Sequence, residues 1–147
     1  MSVTESWASS DAVRRSMQGN RSRDTSPEMA VRRELHRRGY RYRVAARVVP
    51  ENKRNTVDIV FPRERLAVFV DGCFWHGCAE HYRQPGSNTE YWSTKIERNQ
   101  QRDAEVSERL SADGWKVARF WEHEPALAVA DRVEQLVLAA RVAKSLR

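Results

Sequence analysis

Thr56-Val57-Asp58-Ile59-Val60-Phe61, then Pro62-Arg63-Glu64-Arg65, then Leu66-Ala67-Val68-Phe69-Val70: two short apolar runs joined by a turn decide the fold class of this chain. Their unbroken Val, Ile and Phe content suits central strands covered on both faces. Upstream, Arg41 to Val48 alternates polar and apolar residues, which predicts a half-buried strand, and Pro50 to Asn55 reads as a turn. Before that, Thr25-Ser26-Pro27-Glu28 offers a hydroxyl N-cap, a proline at the first helical position and an early acid. The helix it starts runs to about Arg38, with Val31 and Leu35 on one face and Gly39 as its stop. Downstream, residues 71–89 lack periodicity and read as a long loop, a length that usually serves function or is held by a ligand. A helix from about Tyr91 to Asp113, a strand over Trp115–Trp121 and a last helix from Pro125 to roughly Leu146 follow. The order α-β-β-β-α-β-α predicts an α/β fold, one small mixed sheet flanked by helices.

The chain has 147 residues, which suits a single domain. Residues 1–24 are polar and rich in Ser and Arg, so they are expected to form a flexible arm ahead of a domain over residues 25–147. No apolar run approaches the ~18 residues of a membrane span. The first residues carry no apolar stretch of a secretory signal, so a cytoplasmic, membrane-free protein is expected. Lys and Arg outnumber Asp and Glu by 26 to 20, a net charge of +6 that suits a polyanionic partner.

Two constellations carry chemistry. Cys73, Cys78 and His81 gather within one short segment and His123 follows the last strand, matching the four N and S ligands of a structural zinc site. Two buried thiols and two surface histidines are the alternative. Asp58 interrupts an apolar strand and Asp71 ends the next, so adjacent strands would bring both acids to one sheet end. Such a pair suits Mg2+, with His76 close enough in sequence to take a proton from water. Asp58 reads equally as a plain strand-end residue. Glu28 otherwise complements a helix dipole, and Asp103 is otherwise a solvated helix residue. Phe74-Trp75 and Tyr91-Trp92, with Arg63, Arg65, Arg83, Lys95, Arg98 and Arg102 around them, suit a wedge between base pairs beside phosphate contacts. They suit equally a packed lid over the zinc loop.

The segment Phe69-Val70-Asp71-Gly72-Cys73-Phe74-Trp75-His76-Gly77-Cys78 strongly resembles the very short patch repair (Vsr) DNA mismatch endonucleases. The likeness extends through Asp24-Thr25-Ser26-Pro27-Glu28, Asp58-Ile59-Val60-Phe61, Asn88-Thr89-Glu90-Tyr91-Trp92, Arg102-Asp103 and Trp121-Glu122-His123-Glu124, roughly residues 14–124. The resemblance implies a restriction-endonuclease-like core and Mg2+-dependent nicking of one DNA strand 5′ of the thymine in a T:G mismatch, the product of 5-methylcytosine deamination. A broader mismatch or repair nicking enzyme, or a zinc-stabilised DNA-binding module without catalysis, are the rival readings. It implies Asp58 as Mg2+ ligand, with Asp71 as a second, His76 as general base, Glu28 orienting or assisting His76, and Asp103 behind them. Phe74, Trp75 and Trp92 would intercalate beside the mismatch, Cys73, Cys78, His81 and His123 would bind Zn2+, and the arm from about Arg14 would close over the DNA. A cytosine-5 methyltransferase and other repair proteins are implied as functional partners, and the chain is expected to act as a monomer on nucleoid DNA. Asp71 stands where some members have His, His123 where some have Cys, and Val57 where Pro is frequent; the Lys of related nucleases is absent, with His76 the apparent substitute.

Overall fold

The computed structural model describes residues 25–48, 56–83 and 85–146; the expected arm and the turn at 50–55 lie outside them. Helix α1 (Ser26–Arg37) leads into strand β1 (Arg43–Ala46), followed by β2 (Val57–Phe61), β3 (Leu66–Asp71), helix α2 (Thr89–Ala112), β4 (Lys116–Trp121) and helix α3 (Ala126–Ser145). This is the element order the sequence predicts.

Local chemistry sets the boundaries. Thr25 occupies the N-cap of α1, but its hydroxyl makes no capping bond. The expected side-chain cap is therefore not what starts the helix; Pro27 in the first turn and Glu28 near the positive end of the dipole remain. At the other end Gly39 adopts φ +96°, its N–H donates to the His36 carbonyl and the Tyr40 N–H donates to the Leu35 carbonyl, both at 3.0 Å. That paired closure needs a left-handed residue, and glycine adopts it without a Cβ penalty. Gly114 closes α2 in the same way, with Trp115 N–H donating to Leu110 at 2.9 Å.

The four strands lie in the order β1-β2-β3-β4. β1 and β2 pair antiparallel, as do β2 and β3, whose partners run from Ile59↔Val68 to Phe61↔Leu66. β3 and β4 pair in parallel from Leu66↔Lys116 to Asp71↔Trp121. A parallel pair needs a long crossover, and α2 supplies it. The sheet is therefore mixed and flanked by helices. On one face Ile59, Phe61, Leu66 and Val68 pack against Val31 and Leu35 of α1 and Val129, Val133 and Val137 of α3. On the other, Val60, Ala67 and Phe69 pack against Leu110 of α2. β2 and β3 are thus covered on both sides, which is why they carry continuous apolar runs while β1 stays half-buried. Among the described residues no helix is long and apolar enough to cross a membrane.

Core and surface leucines separate the packing contribution. Leu35→Ala, at a fully buried position, is expected to lower the unfolding free energy by about 2–5 kcal/mol. Leu138→Ala, on the exposed side of α3, should change it by less than about 0.5 kcal/mol. Urea denaturation of the two variants beside the parent chain measures both.

Candidate active site and metal centre

The β2–β3 ladder ends at Ile59↔Val68, and one step further the Asp58 Oδ2 accepts the backbone N–H of Val70 at 2.8 Å. A carboxylate here takes the donor that a partner strand's carbonyl would otherwise take. β3 meanwhile stays paired with β4 as far as Asp71. Because β2 and β3 run antiparallel, the start of one and the end of the other share a sheet end, and Asp58 and Asp71 both stand at it. Burial pushes the Asp58 carboxyl up to about 7, and the charges of Glu28 and Asp71 add to the effect against the Val70 N–H and His76. A site that concentrates negative charge in this way favours a cation, which would return Asp58 to its ionised form.

His76 lies between two acids. Its Nδ1 contacts Asp103 Oδ2, and its Nε2 stands 4.0 Å from Asp71 Oδ1. Burial works against the protonated ring, but the Asp103 contact and the charges of Asp71 and Asp103 outweigh it and raise the pKa. The segment carrying His76 is fastened to α2: Asn99 Nδ2 donates to the Trp75 carbonyl at 2.7 Å and Gln100 Nε2 to the His76 carbonyl at 3.1 Å. Gly77 makes that approach possible, since it adopts φ +65° and a Cβ there would lie 2.5 Å from Gln100 Nε2 and 2.7 Å from Ile96 Cγ2.

The predicted acids divide. Asp71, His76 and Asp103 bring ligand atoms within 4.8 Å of one another, and Asp58 lies outside that set. Asp71 is buried, and both its oxygens accept from Arg119 Nη1, at 3.1 and 3.2 Å. Glu28 is buried as well and accepts from Arg32 at 3.1 Å. The partner at His76 Nδ1 is Asp103, so the residue expected behind the site touches the imidazole directly. Sequence reasoning missed Arg119, whose one signal is a cation in the middle of the strand Lys116–Trp121. It missed Asn99, Gln100 and Glu122 too; the last accepts the Cys73 N–H at 2.6 Å.

Cys73, Cys78, His81 and His123 converge with all four ligand atoms within 4.8 Å of one another. Cys73 Sγ lies 3.3 Å and Cys78 Sγ 3.7 Å from His123 Nδ1, and Cys78 Sγ lies 3.9 Å from His81 Nδ1. A zinc tetrahedron with ordinary Zn–S and Zn–N bonds has S···N edges of about 3.6 Å. The set therefore fits the metal in ligand type, number and spacing. Burial pushes the Cys73 thiol up to about 12, an unfavourable setting for a thiolate that a cation would relieve. The long loop is thereby tied to the turn after β4, where Glu122 N–H also donates to the Asp71 carbonyl at 2.9 Å.

The aromatic residues do not project. Trp92 and Trp75 are buried, 1% and 6% exposed, and Phe74 packs edge-on to both with ring centres 5.3 Å away. Here they form the packed lid rather than the exposed wedge; Tyr82 stacks on Phe74 at 5.5 Å and Tyr91 stays half exposed. Beside them Tyr91, Thr94, Lys95, Arg98, Asn99 and Arg102 help line a groove of about 470 Å³ on α2. Arg63 and Arg65 are not part of this surface: the β2–β3 turn that carries them lies at the opposite end of the strands from Asp58 and Asp71. Arg65 there donates to the Asp113 carbonyl.

Comparison with known proteins places the chain in a family. Residues 9–82 match the family model for DNA mismatch endonuclease Vsr. The chain is 48% identical over 111 residues to the type II nicking enzyme V.NaeI of Lentzea aerocolonigenes, covering 75% of this chain and 67% of that protein. It is 49% identical over 109 residues to the type II nicking enzyme V.XorIIP of Xanthomonas oryzae pv. oryzae, covering 74% and 77%. The DNA mismatch endonuclease Vsr of Escherichia coli K12 is 32% identical over 109 residues, covering 74% and 67%. With half its length in the family model and three quarters aligned to these enzymes, the chain belongs to the Vsr family of DNA mismatch and nicking endonucleases.

Proposed function

We propose that the chain nicks one strand of duplex DNA by divalent-cation-assisted phosphodiester hydrolysis at the sheet end formed by Asp58, Asp71 and His76, on a restriction-endonuclease-like core. The observation that carries this reading is the Asp58 carboxylate at the fork of β2 and β3, with His76 held nearby between Asp71 and Asp103. Oxygen donors of this kind suit Mg2+, which keeps several waters and binds substrate phosphate beside one or two carboxylates. Held at Asp58, Mg2+ would supply charge neutralisation for the phosphate and the leaving oxygen. Asp71, oriented by the Arg119 hydrogen bonds to both its oxygens, would hold the ion beside Asp58 through its remaining lone pairs. His76 takes the proton of the attacking water, and Asp103, hydrogen-bonded to the other ring nitrogen, fixes which nitrogen faces the water. Glu28 is a buried acid that adds to the field around Asp58. Water attack that leaves the 3′ oxygen yields a 5′-phosphate and a 3′-hydroxyl.

The DNA is a mismatched duplex, with a thymine opposite guanine as the favoured target. Two relatives named above are called nicking enzymes without reference to a mismatch, so a broader nicking specificity is the second reading. Selection works through Phe74, Trp75 and Trp92: they enter the base stack as a block, and a wobble pair yields its stacking more cheaply than a matched one. Lys95, Arg98 and Arg102 meet phosphates, which sets affinity and salt dependence. Zn2+ at Cys73, Cys78, His81 and His123 has a structural part, ordering the segment that carries both the aromatics and His76. The chain acts as a monomer and serves the sites of a cytosine-5 methyltransferase.

Three outcomes follow. In a strand-specific assay with Mg2+, a single nick 5′ of the thymine is expected in T:G duplexes and none in matched ones; equal nicking of several mismatches moves the assignment to the broader enzyme, and tight binding without a nick to a binding module. His76→Ala should cut the single-turnover rate by about 10²–10⁴-fold, with affinity for the same duplex retained in a gel-shift titration. The purified chain should carry one zinc by atomic absorption, and Cys78→Ser should lose that zinc together with thermal stability.

A further inference from the structure

Arg119 stands in β4 between Ala118 and Phe120, opposite Phe69 of β3. All three nitrogens of its guanidinium point into the protein. Nε donates to Ser107 Oγ at 2.9 Å, Nη1 to both oxygens of Asp71, and Nη2 to the Asp103 carbonyl at 3.2 Å. Nη1 also lies 3.8 Å from the Asp103 side chain, and the guanidinium carbon sits 4.0 Å from the centre of the Phe69 ring. Asp71 and Asp103 are the two acids on either side of His76. The contacts therefore close a ring: Arg119, Asp71, His76, Asp103 and back to Arg119.

Two carboxylates this close repel each other, and a cation between them offsets the repulsion. Only a planar fork reaches Ser107, Asp71 and Asp103 at once; a lysine ammonium is a point charge on a flexible stem. The parallel β3–β4 register aims that fork, since it sets Arg119 beside Phe69 and so two steps short of Asp71 along the strand pair. Asp71 and Asp103 come from different elements, β3 and α2, and Arg119, like His76 itself, reaches both.

We propose that Arg119 is a positioning residue of the hydrolytic centre: it holds Asp71 and Asp103 in place on either side of His76 and thereby fixes the orientation of the imidazole. This rests on the reading of His76 as the group that takes the proton from water. It gives Asp71 a task beside metal binding: held through both its oxygens by Arg119, it acts on His76 through their shared geometry. A positioning role predicts a loss in turnover without a loss in DNA binding, because the donors of Arg119 face inward rather than towards a phosphate.

The test uses the full-length zinc-loaded chain as the parent, Arg119→Lys and Arg119→Met, each checked for zinc content and thermal unfolding. Nicking is measured on the duplex that the parent cuts best, and the ring nitrogens of ¹⁵N-histidine-labelled protein are observed by NMR without DNA. Arg119→Met is expected to lower kcat by about 10–100-fold, as removal of a supporting partner does, with KM held within about threefold. Its His76 nitrogen signals should pass from one tautomer, protonated at Nδ1, towards a mixture. Arg119→Lys should recover part of both effects, and it decides the matter if the Met variant fails to fold. A rise in KM at unchanged kcat would make Arg119 a phosphate contact and overturn the proposal, as would unchanged kcat and unchanged His76 signals in a folded variant. If the parent nicks no duplex, the hydrolytic reading fails, while the NMR comparison still decides whether Arg119 orients His76.

Discussion

The hydrogen bond from the Val70 N–H to the Asp58 carboxylate is where the sheet stops being a ladder and becomes a site. Up to Ile59↔Val68 the two central strands satisfy each other through backbone groups. Beyond it a side chain takes over that duty, and an acid can stand among apolar neighbours because its oxygen has a donor. Everything else at this end is built around that substitution. β3 continues alone with β4 to deliver Asp71, the chain then turns through Gly72 to Cys78, and α2 returns over it with Asn99, Gln100 and Asp103. The apolar layers on both sides of β2 and β3 supply rigidity, so the acids at their ends are held by the core and not by the loop.

The loop itself has little apolar surface of its own. Its order comes from the packing of Phe74 and Trp75 on Trp92, from the fastening of the Trp75 and His76 carbonyls to α2, and from the convergence of Cys73, Cys78 and His81 on His123 after β4. A metal held by that convergence would couple to the geometry of the site, since Cys73 and Cys78 bracket Phe74, Trp75 and His76.

Much of the fold is legible in the residues because its signals are local. Apolar runs without alternation mark the strands covered on both faces, and Gly39 and Gly114 mark helix ends that only a left-handed residue can close. The Cys and His set is legible because its ligand types are rare and three of the four lie close in sequence. What escapes is non-local. Arg119 reads as an ordinary strand cation until the parallel register brings it to Asp71, and spacing alone leaves Asp103 a solvated helix residue, which only the family resemblance assigns to the site. The burial of Trp75 and Trp92 escapes for the same reason: a tryptophan in a polar segment suits a wedge or a lid alike, and only the packing of that segment on α2 decides between them.

The most direct measurement is anomalous diffraction from crystals of the chain bound to a T:G duplex, with Mn2+ in place of Mg2+ and with data at the zinc edge. A Mn2+ peak in direct bonding contact with Asp58 and with the phosphate 5′ of the thymine, together with a zinc peak inside Cys73, Cys78, His81 and His123, is the predicted result. Mn2+ remote from Asp58, with that carboxylate still bonded only to the Val70 N–H, would contradict it.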